Sequence, residues 1–207
     1  MSIEKAYNSW AGIYDSNDNK TRDLDKKATI ETLSKFNFER VLELGCGTGK
    51  NTEWLLDKAD QIIGLDFSQE MLDKASGKIK SNKVEFKKAD INQNWDVADG
   101  FADLITCSLT LEHIDNLDHV FTQAYLKLKP NGRFFVSELH PFKQYSGSKA
   151  RYETSNGIEE LQVYTHHISE YLDCARKNEL NLLELKEWFD DSDENEIPRL
   201  ISFLFGK

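Results

Sequence analysis

The 207-residue sequence lacks the basic excess that phosphate-backbone binding requires: 26 Lys and Arg stand against 36 Asp and Glu, for a net charge of -10. Backbone binding rests on neutralising cations, so nucleic acid is not an expected partner. Cysteine is scarce. Cys46, Cys107 and Cys174 are an odd number without C-x-x-C spacing, which argues against a disulfide framework and a thiolate metal site and suits a reducing compartment. Long apolar runs are missing too. Nothing approaches the roughly 18 consecutive apolar residues of a membrane span, and Met1-Ser-Ile-Glu-Lys5 has no basic start followed by an apolar stretch. No membrane span is expected, and cytoplasmic residence follows by default. The acidic run Asp190-Asp-Ser-Asp-Glu-Asn-Glu196 has no glycine turn to organise a calcium loop and reads as a solvated linker.

What is present fits one core. Hydrophobic residues at 39% and charged residues at 30% leave enough apolar surface for a central sheet in a single domain, 1–207. Apolar runs alternate with helical periodicities, the pattern of a mostly parallel sheet covered on both faces. Strands are expected at about 40–45, 61–66, 83–89, 102–108 and 133–139. Met71, Leu72, Ala75 and Ile79 share a helical face after a Ser68 cap, and Leu117, Val120, Phe121, Ala124 and Leu128 share another after Asp115. Leu180–Trp188 and Arg199–Phe205 read as two further strands joined without a crossover helix, and such a pair must be antiparallel.

The run Val41-Leu-Glu-Leu-Gly-Cys-Gly-Thr-Gly49 carries the most information. A strand feeds three glycines spaced two apart and then a helix, a turn suited to bringing backbone against a ligand. The next strand ends in Asp66, 21 residues after Gly45, where a ribose-binding carboxylate is expected. The pairing points to a nucleoside ligand. A dinucleotide fingerprint needs a sixth-position glycine, and Lys50 stands there.

Glu43-Leu-Gly-Cys-Gly-Thr-Gly49 instead resembles motif I of the Rossmann-like S-adenosylmethionine-dependent methyltransferases. The resemblance continues through Asp66, Ala89-Asp90-Ile91, Phe101–Ser108 with Leu111-Glu-His-Ile114, and Lys127–Val136. It is greatest to the small-molecule branch of the ubiquinone and menaquinone biosynthesis type. It implies a three-layer α/β/α sandwich with a seven-stranded, mostly parallel sheet of order 3-2-1-4-5-7-6 and strand 7 antiparallel. It also implies S-adenosyl-L-methionine as cofactor, with S-adenosyl-L-homocysteine as product.

On that reading the cofactor site comprises Glu43, Gly45, Cys46, Gly47, Gly49, Asp66, Phe67, Met71, Asp90, Ile91, Cys107 and His113. Loop N–H groups would seat the methionine carboxylate, Asp66 would accept the ribose hydroxyls, Phe67 and Met71 would flank the adenine, and Asp90 would accept from its amino group. The competing reading of Asp66 and Asp90 is an acid at a strand end that caps the next helix. His140, just past strand five, is the candidate catalytic base, and its alternative is an imidazole that caps the strand or orients Pro141.

Two segments rich in aromatic, His and Arg residues fall outside the sheet. Residues 1–25 form an N-terminal cap and 140–167 a substrate-cover insertion, which offers Tyr14, Arg22, Tyr145, Arg151 and His166 as acceptor-binding candidates. No Asn/Asp-Pro-Pro-Tyr or Pro-Cys element of DNA-methylating enzymes occurs. The expected partner is therefore a small-molecule methyl acceptor, modified at O, N or C by a monomer or homodimer. An aminopropyltransferase-like enzyme and a non-catalytic cofactor- or partner-binding module are the alternatives.

Overall fold

The computed structural model describes residues 3, 7–8, 11–12, 19–147, 151–154, 157–160, 163–190 and 197–207, with the backbone alone for 151–154 and 157–160. Helix α1 (Lys20–Leu33) precedes β1 (Arg40–Leu44). Then come α2 (Lys50–Leu56), β2 (Gln61–Asp66), α3 (Gln69–Lys78), β3 (Val84–Lys88), β4 (Ala102–Ser108), a short 3₁₀ turn (Leu111–His113), α4 (Leu117–Lys127) and β5 (Leu128–Leu139). The chain continues through α5 (Pro141–Tyr145), a separate hairpin β6 (Arg151–Thr154) and β7 (Gly157–Glu160), α6 (Ile168–Lys177), β8 (Asn181–Trp188) and β9 (Leu200–Gly206).

The main sheet runs β3-β2-β1-β4-β5-β9-β8. Numbered within the sheet this is the expected order, 3-2-1-4-5-7-6, with β9 antiparallel to both β5 and β8. The first five strands pair parallel, which sends their carboxyl ends to one edge.

The pleat assigns side chains to two layers. Leu42, Leu44, Ile105, Phe134, Val136, Phe203 and Phe205 pack with Val120 and Phe121 of α4 and Tyr171 of α6. Val41, Ile62, Leu104, Phe135 and Leu204 face the other way, toward Leu33 of α1 and Leu55 of α2. Phe121 meets Phe134 and Phe205 edge-on, with centroids 5.3 and 5.4 Å apart. Each such fully buried side chain contributes about 1.5–3 kcal/mol.

Two details differ from expectation. β5 begins at Leu128 rather than 133, because Leu128 already pairs with Ala102 and the Pro-Asn-Gly segment forms an irregularity before Leu104 pairs with Arg133. The cap of α4 is Asn116, whose side chain accepts from His119 N, so the helix starts one residue after Asp115 would place it. The Ser68 cap on α3 is present, accepting from Met71 N at 3.2 Å.

Candidate functional site

The three loop glycines have positive φ, of 63°, 53° and 79°, each for its own reason. A Cβ on Gly45 would lie 2.1 Å from Thr110 Oγ1, and one on Gly49 would lie 2.8 Å from Ile79 Cδ1. Those two positions are closed by neighbouring side chains. A Cβ on Gly47 would meet nothing within 4 Å, because Gly47 opens onto a cavity of about 350 Å³. The cavity sits at the carboxyl edge of β1, β2, β3 and β4, the place open α/β sheets hold ligands.

Asp66 ties this loop to the next helix. Its Oδ2 accepts from Gly47 N at 2.8 Å and its Oδ1 from Ser68 N at 2.9 Å. Burial pushes its carboxyl above the usual range against the pull of these N–H groups. The capping alternative thus describes one of its oxygens. The loop N–H groups are mostly spent inside the protein: Cys46 N donates to Leu65 O, Gly47 N to Asp66, and Gly49 N to Cys46 O. Three of the N–H groups in this loop are therefore engaged within the protein.

Glu43 lies below the loop, where Thr52 Oγ1 donates to its Oε2 at 2.5 Å. Burial, aided by nearby Asp25 and Asp66, raises it to about 8. Burial likewise drives the Cys46 thiol well above its ordinary value, which leaves it a neutral wall group. Across the cavity, Phe67, Met71, Asp90 and Ile91 form one wall. Asp90 Oδ1 accepts from the backbone and side-chain nitrogens of Asn92, both at 2.9 Å, which fixes the turn after β3. His113 closes the far side, its Nε2 2.8 Å from Tyr7 Oη, while the Tyr7 ring also meets Phe67 edge-on at 5.7 Å. Arg22 and Lys50 bring cations to the wall, Lys50 held by Asp23 at 2.6 Å.

Other expected residues lie elsewhere. The pleat of β4 sends Thr106 and Ser108 to the cavity and turns Cys107 into the aromatic layer against α4, so Cys107 does not reach the site. Gly49 packs behind the loop. His140 is wholly buried and caps α5: its Nδ1 accepts from Phe142 N at 3.2 Å, its Nε2 faces Glu187 Oε1 at 3.1 Å, and its ring stacks on Phe142. Burial lowers its pKa despite Glu187. With both nitrogens engaged and the ring off the cavity wall, its capping alternative is the arrangement observed. Tyr145 points outward, bonded to His167 Nδ1 at 2.5 Å. His166 bridges Ile114 O at 2.7 Å and Glu170 at 3.1 Å, away from the cavity lining. Tyr14 lies outside the described residues, and of Arg151 only the backbone, in β6, is described.

The structure adds Asp25, Asn51, Thr106, Ser108 and Thr110 to the wall. Asp25 left a trace in the sequence, since it shares the buried face of α1 with Ala28, Thr29 and Thr32, where an acid is out of place. Among the described residues no cluster of His, Cys, Asp and Glu could hold a metal, and no helix is long and apolar enough to cross a membrane.

A family model described as a methyltransferase domain, Methyltransf_11, matches residues 42–136, the stretch from β1 into β5. Residues 42–136 are thus similar to a methyltransferase domain. The expectation of family and fold is thereby met. The ubiquinone biosynthesis O-methyltransferase of Dechloromonas aromatica is 31% identical over 104 residues, covering 49% of this chain and 45% of that protein. The chain spans 44% to 60% of the first curated relatives it matches. An S-adenosylmethionine-dependent methyltransferase structure from Mesorhizobium loti superposes with a TM-score of 0.76 at 18% identity, covering 89% of this chain and 98% of that one. The N-methyltransferase NodS of Bradyrhizobium japonicum, solved with S-adenosyl-L-homocysteine, gives 0.68 at 15% identity over 92% of this chain and 89% of that one.

Proposed function

We propose that this chain is an S-adenosylmethionine-dependent methyltransferase acting on a small-molecule acceptor. The carrying observation is the Gly47–Asp66 bond at the cavity wall: a side-chain-free loop position and a strand-end carboxylate are locked together where a ribose-bearing ligand would meet both. The cavity volume of about 350 Å³ lies within the ~300–1,000 Å³ of small-molecule sites. The family match and the S-adenosyl-L-homocysteine held by a protein of the same fold support the same ligand.

When bound, the cofactor supplies an electrophilic methyl group on a positively charged sulfur. The chain's residues then have separate tasks. Each Asp66 oxygen keeps a lone pair for a ribose hydroxyl, Phe67 and Met71 flank the base, and Asp90 with the Ile91 backbone lies at its edge. Asp66 and Asp25 bring carboxyl groups to the wall, whereas Glu43, raised to about 8 by burial, is mainly protonated at neutral pH. With the N–H groups of Cys46, Gly47 and Gly49 engaged, Arg22 and Lys50 on the wall are assigned to assist in holding the methionyl carboxylate. Methyl transfer is an in-line displacement, so the wall mainly aligns the acceptor and excludes water.

Ile3 and Tyr7 on the wall support reading residues 1–25 as a cap over the site. The described side chains of 140–167 give no such support to a cover there. The acidic balance supports an acceptor other than nucleic acid, and the scarce, unpaired cysteines support a reducing compartment such as the cytoplasm. Titration calorimetry with S-adenosylmethionine tests the cofactor, with saturable binding expected and no heat up to about 1 mM, a binding energy of roughly 4 kcal/mol, as the refuting result. Formation of S-adenosyl-L-homocysteine on incubation with small-molecule extracts tests the reaction.

A further inference from the structure

The two edges of the main sheet are built differently. β3, at one edge, is five residues long, keeps Val84 and Phe86 half-buried and ends in Lys87 and Lys88, a short and basic form that discourages pairing with another strand. β8, at the other edge, is eight residues long, and its Leu182, Leu183 and Leu185 are 44%, 56% and 38% exposed. Three of the seven large apolar side chains exposed among the described residues therefore lie on this one strand, and no described strand pairs with its outer side. Such an edge offers N–H and C=O groups and an apolar strip to another strand.

The register against β9 assigns the side chains of β8 to faces. Glu184 stands beside Leu204 and Lys186 beside Ser202, on the side of the sheet that α1 covers, and Leu185 stands beside Phe203, on the side of α4 and α6. Leu183 is the extra residue of a bulge and lies over Gly206, where a Cβ would come 2.9 Å from its Cδ1. Beyond the bulge the strand is regular from Glu184 to Trp188. Glu184 accepts from Lys35 Nζ at 3.0 Å, and Lys186 Nζ donates to Glu31 at 3.3 Å. Both side chains stay partly exposed.

We propose that β8 is the interface of a homodimer, in which it pairs antiparallel with β8 of a second copy across a two-fold axis perpendicular to the sheet. The homodimer goes beyond the methyltransferase reading and does not depend on it. Such an axis keeps corresponding faces of the two sheets together, so residues of one face meet residues of the same face. The charges choose the register. Centred on Leu185, the pairing sets Leu185 against Leu185 of the second copy and Glu184 against Lys186 of the second copy, twice over by symmetry. Centred on Glu184 it would oppose two carboxylates, and centred on Lys186 two ammonium groups, and like charges directly opposite are destabilising. In the Leu185 register the ion pairs within each chain join into a row of alternating sign: Lys35 and Glu184 of one copy, then Lys186 and Glu31 of the other.

The contact is small. An eight-residue edge with three leucines falls at the low end of specific interfaces, so association is weak and reversible, with a Kd of about 10–100 µM. The net charge of -10 on each copy opposes approach, and salt at about 150 mM, with a Debye length of about 8 Å, screens that repulsion beyond the contact itself. β8 supplies no residue to the cavity wall, so the dimer leaves the ligand edge open.

Sedimentation velocity on the whole chain at about 1–300 µM protein in about 150 mM salt tests the proposal. Wild type is expected to pass from monomer to dimer across this range. Glu184→Lys and Lys186→Glu each place like charges opposite one another twice, and each should weaken association about tenfold. An equimolar mixture of the two variants should recover wild-type association, because each then faces its complement. Leu185→Lys, which adds an edge lysine and removes the central leucine, should leave a monomer throughout. These side chains are exposed or half-exposed, so circular dichroism and thermal melting should match wild type. Should a single charge variant fail to fold, the double variant Glu184→Lys with Lys186→Glu carries the test, since its exchanged charges should restore the wild-type dimer. A wild type that stays monomeric at about 300 µM, a dimer that every variant retains at full strength, or open-ended larger species would overturn the proposal. A mixture of the two charge variants that associates no better than either alone would overturn it as well.

Discussion

Replacing Asp66 by Asn separates the two tasks of this carboxylate. A carboxylate has about four acceptor sites. Two are occupied by Gly47 N and Ser68 N, which leaves one on each oxygen for the two ribose hydroxyls. The amide keeps one oxygen and turns its nitrogen toward a donor, so one backbone bond and one ribose bond are lost. A hydrogen bond to a charged group is worth about 1.5–3 kcal/mol. The folded state should lose about that much through the orphaned N–H, and cofactor affinity should fall about 10- to 150-fold. Urea unfolding measures the first quantity, and calorimetry with S-adenosyl-L-homocysteine, which cannot turn over, measures the second. A folded variant that loses stability but binds within threefold of wild type would make Asp66 a cap alone and refute its ribose role. Unchanged stability would refute the geometry itself.

Gly47→Val should abolish cofactor binding by filling the open space above the loop while leaving the sheet intact, at about 1–2 kcal/mol for the left-handed backbone; calorimetry and thermal melting check both. Gly45→Ala, by contrast, should weaken the fold itself, because its Cβ would strike Thr110, and a melting temperature equal to wild type would contradict this. Burial raises Glu43 and Glu138 to about 8 and Glu112 to about 7, above an ordinary 4.5. Raised acids contribute stability that is present below the ordinary value and lost as pH climbs through the raised one, so the chain should melt higher at about pH 5.5 than at about pH 8.5. Glu43→Gln should flatten that slope, and a slope of opposite sign would count against these burials. His140→Ala should cost about 0.5–2 kcal/mol as a lost helix cap. Its cofactor affinity should be unchanged and its turnover should show no selective collapse, whereas a 10²-fold kcat loss at constant stability would restore it as a base.

The local signals in the sequence determined most of the frame. Short apolar runs between helical periodicities placed β1 to β4, two strand-like runs with no crossover helix placed the closing hairpin, and Gly45, Gly47 and Asp66 marked the edge where the cavity lies, because turns, caps and buried strands are written in neighbouring residues. What the sequence left open depended on contacts between distant segments. Which glycine faces a ligand was decided by Thr110 and Ile79, far along the chain from the loop they fill. His140 read as a base because it follows β5, but a donor two residues on and Glu187 of β8 take up its nitrogens. Cys107 sat in the right strand on the wrong face of its pleat. Asp25 belonged to no motif and showed only as an acid on an otherwise buried helix face: α1 sets its carboxyl beside Ser108 of β4 and Ser137 of β5, neighbours that exist only once those elements have packed.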